Sequence, residues 1–302
     1  MTSESLPGPA EPYRGRARPG TSLRAAAGAV PPSGLVLLAI LSVQLGAGLA
    51  KNLFAELPPS GVVLLRIAIG AAILVPFAPP RLRGLGRRDL AVGAVFGLSL
   101  GIMNLSFYEA LARLPIGIAV TIEFIGPLGV AVFASRRRLD LLWVALAGAG
   151  VILLAPWGQA GDTSWAGIGF AALAGACWAA YILLSAATGA RFPGTSGLSL
   201  AMIVATIVTA PVGVASGGTD LLRPDVLLIG AGIGLLSSVI PYSLELEALR
   251  RMPKRVFGIL MSLEPAVAAL VGLFVLGEIL QVREWAAIGC VVVASIGATR
   301  SG

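Results

Sequence analysis

The chain has 302 residues, 57% of them hydrophobic and 12% charged, with a mean hydropathy of +0.90 and a formal charge of +7. A soluble domain carries about 25% charged residues, so there is too little polar surface here to coat a soluble protein, and most of the surface has to face lipid. The basic residues lie in short clusters between apolar runs, which argues against a nucleic-acid-binding face, and the absence of His removes the commonest metal ligand and leaves carboxylates to carry any proton chemistry.

Residues 1–32 are rich in Pro, Gly, Ser and Arg and read as a disordered basic tail, too long and too basic to be the start of a cleaved signal peptide. From Gly34 onward, apolar runs alternate with short breaks. A membrane helix needs about 20 apolar residues, and on that length the runs predict ten helices at 34–55, 60–78, 90–111, 115–135, 140–156, 165–187, 197–216, 225–248, 254–275 and 284–300. The 39 glycines suit such helices, because small residues let them approach closely. Cys177 and Cys290 each fall inside an apolar run and are expected to be packing residues.

The loop charges support this count. With the N-terminus in the cytoplasm, the inner segments hold 17 of the 22 Lys and Arg, and the outer loops hold three: Arg113, Arg223 and Arg283. Such a bias sets orientation by the positive-inside rule. Trp143, Trp157, Trp165 and Trp285 fall near predicted helix ends, where amphipathic rings favour the interface. Trp178 lies deep in the sixth predicted helix and is either a packing residue or part of a cavity wall.

One stretch recurs. Residues Glu109 to Pro115 read EALARLP and residues Glu247 to Pro253 read EALRRMP, an offset of 138 that also relates Pro127 to Pro265. Five helices per half is an odd number, so the second half is expected to insert upside down. The charges agree: the first corner falls outside with one arginine, and the second falls inside with Arg250, Arg251, Lys254 and Arg255. The fold class predicted is therefore all-α integral membrane, with ten transmembrane helices as two inverted five-helix repeats at 33–157 and 163–300. Such repeats move substrate by rocking about a site between them.

Only a few charges lie inside the helices. At 1.5 Å per residue, Glu123 sits roughly 12 Å in from Pro115, Arg66 roughly 9 Å in from Ser60 and Lys51 roughly 8 Å from the outer end of the first helix. Glu264 lies roughly 16 Å in from Pro253, on the other side. Each such charge costs about 2.5–3.5 kcal/mol on insertion scales and therefore pairs or lines a wet cavity. Two compatible readings stand: a structural ion pair of Glu123 with Arg66 or Lys51, and a polar site in which a basic group holds a substrate carboxylate while a glutamate holds an ammonium or a proton. Glu264 has no evident partner at its depth, which makes it the candidate proton carrier, although its carboxylate could instead cap amides freed by Pro265. Asn104 and Tyr242 match each other under the offset and are either helix-to-helix hydrogen bonds or ligand contacts. Tyr108 is a further polar group of this kind. Glu109, Glu245 and Glu247 lie near helix ends and are expected at the interface, and Arg136 to Arg138 form a topology signal and lipid-headgroup contact.

The stretches LAKNLF at Leu49, LRIAIG at Leu65, GIMN at Gly101, LPIGIAVTIEFIGPL at Leu114, GACWAAYIL at Gly175, PYSLE at Pro241 and FGILMSLEPA at Phe257 resemble the EamA-type exporters of the drug/metabolite transporter superfamily, in the branch that exports threonine and homoserine. The resemblance runs from about Leu35 to Gly297. It implies a bacterial plasma-membrane protein with both termini in the cytoplasm and efflux of a small amino acid by proton antiport, with no cofactor, metal or nucleic-acid partner. Lys51, Arg66, Asn104, Glu123, Trp178 and Tyr242 carry over as candidate substrate-binding residues and Glu264 as the proton-coupling residue. Export of other metabolites or cationic drugs is the alternative within the superfamily. An intramembrane enzyme has no Ser/His or metal constellation to support it.

Overall fold

The computed structural model describes residues 30–80, 84, 86–134, 139–154, 164–192, 196–252 and 254–301. The tail at 1–29, Arg81, Arg83, Arg136 to Arg138, Trp157 and Pro253 lie outside the described residues, as do the side chains of Tyr242, Arg250, Lys254 and Arg255.

Every predicted apolar run is helical. In chain order the helices are α1 (Pro32–Leu53), α2 (Pro59–Phe77), α3 (Arg87–Leu111), α4 (Ile116–Glu123), α5 (Ile125–Ala134), α6 (Leu139–Leu154), α7 (Trp165–Gly189), α8 (Ser196–Gly217), α9 (Pro224–Gly234), α10 (Ile240–Arg251), α11 (Lys254–Met261), α12 (Glu264–Leu276) and α13 (Val282–Ser301). Proline opens α1, α2 and α9, where its missing N–H has no intrahelical role. Ser164 caps α7 by accepting a hydrogen bond from the Gly167 amide. Gly277, with φ of 68°, ends α12 in the left-handed region.

Two of the predicted helices are each broken into halves. The run expected at 115–135 is α4 followed by α5, and the run expected at 254–275 is α11 followed by α12. The cause is proline, which has no amide hydrogen for the carbonyl four residues back. Pro127 leaves the Glu123 carbonyl without its helical donor, and α4 ends at Glu123. Pro265 does the same to Met261, and α11 ends at Met261, 138 residues later. The run at 225–248 has a different irregularity: a π-helical turn, Leu235–Val239, joins α9 to α10.

Among the described residues, six helical stretches are long and apolar enough to cross a membrane: Pro32–Leu53, Pro59–Pro76, Arg87–Leu111, Trp165–Gly189, Ser196–Leu222 and Val256–Leu276. Three shorter ones, Ile116–Val130, Leu142–Leu154 and Pro224–Val239, are also apolar. Large apolar side chains point outward, Phe133, Phe274, Ile279 and Val282 among them, as a lipid-facing surface requires.

Inside, α3 packs along α7 and α8, α2 along α8, α1 against α10 and the π-helical turn, α4 against α12, and α6 along α13. Small residues make these crossings close. A methyl group on Gly117 would stand 2.8 Å from Ala269 Cα, and one on Gly297 would stand 2.5 Å from the Trp143 ring. Trp143, expected at the interface, is thereby packed against α13. The closest crossing lies at the α4–α5 break. A methyl group on Gly175 of α7 would stand 2.7 Å from the Glu123 carbonyl oxygen, the one freed by Pro127, and a methyl on Gly126 would overlap the Gly175 carbonyl oxygen.

This crossing generates a prediction. Gly175→Ala is expected to destabilise the protein by about 1–3 kcal/mol through overpacking. Gly169→Ala on the same helix, where an added methyl meets nothing within 4 Å, should be neutral or slightly stabilising. Thermal unfolding of the two variants in detergent checks this, and equal losses would contradict the assignment of Gly175 as a close-packed crossing.

Candidate functional site

The interior holds a cavity of about 510 Å³, within the size range of small-molecule sites, about 300–1,000 Å³. Its polar groups come from distant parts of the chain: Gln44 on α1, Arg66 on α2, Asn104 on α3, Glu123 at the end of α4, Ser237 in the π-helical turn, Glu245 on α10 and Glu264 at the start of α12. Met103, Phe107, Trp178 and Tyr181 supply much of the apolar wall. Phe124, the residue at the break, meets the Trp178 ring edge to face at 5.6 Å.

Arg66 is held on two sides. It donates to the Tyr108 hydroxyl at 3.3 Å and to the Ser237 carbonyl at 3.1 Å, and its guanidinium carbon lies 5.5 Å from the Tyr108 ring centre. The π-helical turn and the proline after it make the second bond available: Ser237 stands four residues before Pro241, which has no N–H to return to its carbonyl. The neighbouring Leu236 carbonyl accepts from the Ser42 hydroxyl. Glu123 is buried and lines the same cavity as Arg66 and Glu264.

The two buried glutamates stand at opposite ends of their half-helices. Glu123 is the last residue of α4, at the negative end of a helix dipole, and Glu264 is the first of α12, at the positive end. Glu264 Oε1 accepts a hydrogen bond from Gln44 Nε2 at 3.1 Å. This corrects the expectation that Glu264 has no partner at its depth. The partner is an amide on α1, 220 residues away in sequence.

Of the candidate residues, the structure brings Arg66, Asn104, Glu123, Trp178 and Glu264 to the cavity wall. Asn104 donates to the Leu100 carbonyl of its own helix, in place of the helix-to-helix bond considered from the sequence. The side chain of Tyr242 is outside the described residues. Lys51 is not brought to the cavity. It pairs with Glu278 Oε1 at 2.5 Å and donates to the Leu114 carbonyl at 2.6 Å, while Glu278 Oε2 accepts the Ile116 amide at 2.8 Å. One carboxylate thus ties α1 and the loop after α12 to the first turn of α4. Glu278 follows the Gly277 terminator and is outside every predicted helix, so depth reasoning gave it no part.

Gln44, Ser237 and Glu245 are cavity residues that sequence reasoning missed. Gln44 had a signal, as a lone amide within an apolar helix. Glu245 was expected at the interface and instead lines the same cavity as Glu264. The lining reaches Glu245, Phe257 and Gly258 on the side of the second repeated corner. Toward the first corner it stops at Ala47 and Val120, about one helical turn short of Lys51 and Ile116.

Comparisons with known proteins agree with this architecture. The EamA-like transporter family matches residues 165–300. The threonine/homoserine exporter RhtA of Escherichia coli (strain K12) is 42% identical over 270 residues, covering 89% of this chain and 91% of the exporter. The exporter of the same description in Salmonella typhimurium (strain LT2) is 44% identical over 269 residues, covering 88% of this chain and 90% of that protein. A crystal structure at 16% identity aligns with a TM-score of 0.60 over 89% of this chain and 97% of its own, a likeness of fold.

The Lys51–Glu278 pair is the second test. Both side chains are largely shielded, at 24% and 14% exposure, so removing one partner strands the other. Lys51→Met is expected to destabilise by about 1–3 kcal/mol, less than a fully buried pair because some solvent reaches it. The double variant Lys51→Met/Glu278→Gln should be more stable than Lys51→Met alone. Unfolding midpoints in detergent check the order, and strict additivity of the two single changes would contradict a direct pair.

Proposed function

The chain belongs to the EamA-like transporter family, and from that premise we propose that it exports small neutral amino acids, threonine and homoserine among them, across a bacterial plasma membrane. The observation that carries this reading is the cavity itself, where a fixed guanidinium and a buried carboxylate line one enclosure. A zwitterion presents one group of each sign. Arg66, held in place by Tyr108 and the Ser237 carbonyl, takes the substrate carboxylate. Glu123, at the negative end of α4, takes the ammonium. Asn104 and Trp178 complete the wall against which the short side chain rests. The names of the relatives at 42% and 44% identity support the substrate class.

Transport in this reading is proton antiport with alternating access. Ten membrane crossings form two inverted repeats, 33–157 and 163–300, with both termini in the cytoplasm. The helix breaks at Glu123 and Met261, set at the same 138-residue offset as the sequence repeat, support the pairing of the halves. The ammonium at Glu123 and the proton on Glu264 are positive charges in one cavity, so loading one favours release of the other. Glu264 carries the exchanged proton.

A second reading, export of cationic metabolites or drugs, is favoured by one observation: Glu123, Glu245 and Glu264 line the cavity with Arg66 as their counterpart. Growth of a transporter-deficient host on toxic homoserine separates the two. Under the amino-acid reading, Glu123→Gln and Arg66→Ala each lower export about tenfold or more, the worth of a hydrogen bond to a charged group. Full resistance from a normally expressed Glu123→Gln would sink the role of Glu123. Cationic dyes exported unimpaired by Arg66→Ala, with no homoserine export by the unaltered protein, would favour the second reading.

A further inference from the structure

Among the described residues, Glu245 is the acidic side chain of the cavity to which neither the substrate clamp nor the proton on Glu264 assigns a part. It lies on α10, roughly 9 Å before the helix ends at Arg251, while Glu264 lies roughly 16 Å from the same corner. Glu245 therefore stands between Glu264 and the corner toward which the cavity lining extends, with Phe257 and Gly258 beside it. Gln44 completes the group. It is buried at 1% exposure, its Nε2 donates to Glu264 Oε1, and its Oε1 is a buried acceptor with no donor among the described residues. Glu264 Oε2 is likewise buried and without a donor among the described residues. Two buried acceptor oxygens, on hydrogen-bonded partners, and a second carboxylate thus belong to one cavity wall, which a single positive charge would suit. The charged groups facing this cluster, among the described residues, are Glu123 from α4, Arg66 from α2 and Glu245 from α10. Lys51, on the same helix as Gln44, is turned away to Glu278.

We infer that Glu245 and Glu264, with Gln44 as the positioning residue, form one shared proton site that is separate from the substrate clamp at Arg66 and Glu123. The inference rests on the proton-antiport reading and extends it from one acid to a relay of two. Gln44 fixes the orientation of the Glu264 carboxyl by donating to its Oε1. The proton leaves Glu264, is taken by the Glu245 carboxylate, and passes from there to water on the side of the second corner. The Glu264 carboxylate left behind faces Glu123 and a bound ammonium. The substrate's own positive charge replaces the proton's, which is how binding of one drives release of the other.

The test is calorimetric titration of the purified full-length protein with L-homoserine in buffers of different ionisation enthalpy, which counts protons released per substrate bound. That ratio is normalised to binding, so a misfolded fraction does not move it. The unaltered protein is expected to release protons with a sigmoidal pH profile, and Glu264→Gln to abolish the release. Glu245→Gln should move the midpoint to lower pH by about one unit or more, because one of two repelling charges is gone. Gln44→Leu, which keeps the bulk and removes the donor, should also displace the midpoint, and it carries the test if Glu245→Gln fails to bind homoserine. Profiles of Glu245→Gln and Gln44→Leu that superimpose on the unaltered protein, with Glu264→Gln still silent, would overturn the shared site and leave antiport through Glu264 standing. No proton release by the unaltered protein at any pH, or release that depends on sodium, would overturn both.

Discussion

A helix that stops partway through a bilayer leaves carbonyls and amides where there is no water to receive them, so the break has to be covered by protein or turned toward a cavity. Much of the interior follows from that constraint. Pro127 frees the Glu123 carbonyl, and α7 covers it by bringing Gly175 to a distance that no side chain permits. Pro265 frees Met261, and Met261 and the adjoining Glu264 face the cavity. The breaks are therefore also the places where carboxyl groups can be set deep in an apolar fold. Away from such breaks each of these charges would need a dedicated partner.

The constraint also organises how the two ends of α4 relate. This half-helix is eight residues long, about 12 Å from end to end. Its first amide is held by Glu278, which is paired in turn with Lys51. The carboxylate sits at the positive end of the α4 dipole, where a negative charge is favoured. The far end carries Glu123 into the cavity. A short helix, with Gly117 seated against Ala269 of α12, has little room to bend.

The helices were largely legible in the sequence, because apolar run length is a local signal, whereas of the two breaks only the one at Pro265 was weighed and both runs were read as single helices. Arg66, Glu123 and Glu264 were legible too, since a charge within an apolar run is conspicuous wherever it ends up. What could not be read was partnership. Gln44 and Glu264 are 220 residues apart, and Lys51 and Glu278 are 227 apart. Depth along a helix says that two charges lie at one level, but not that they share a side. Lys51 and Glu123 lie at similar depth and still face different surroundings. Glu245 was misplaced for another reason. Nearness to a helix end suggested the interface, but the cavity extends along α10 and α11 toward that end.

The same 138-residue offset that relates the helix breaks does not relate the side chains at them. Glu123 corresponds to Met261, and Glu264 corresponds to Gly126. If the halves are a repeat, as proposed, duplication supplied the geometry of two half-helices meeting at a cavity, and substitution supplied the chemistry. An amino acid carries unlike charges on its two ends, so a site with identical halves would match only one of them. Methionine in place of the acid at Met261, with Arg66 as the cavity's counter-charge, gives the enclosure the polarity its proposed cargo has. The glycine at Gly126 serves the other requirement, since any larger residue there would collide with Gly175 and reopen the crossing that covers the Glu123 carbonyl.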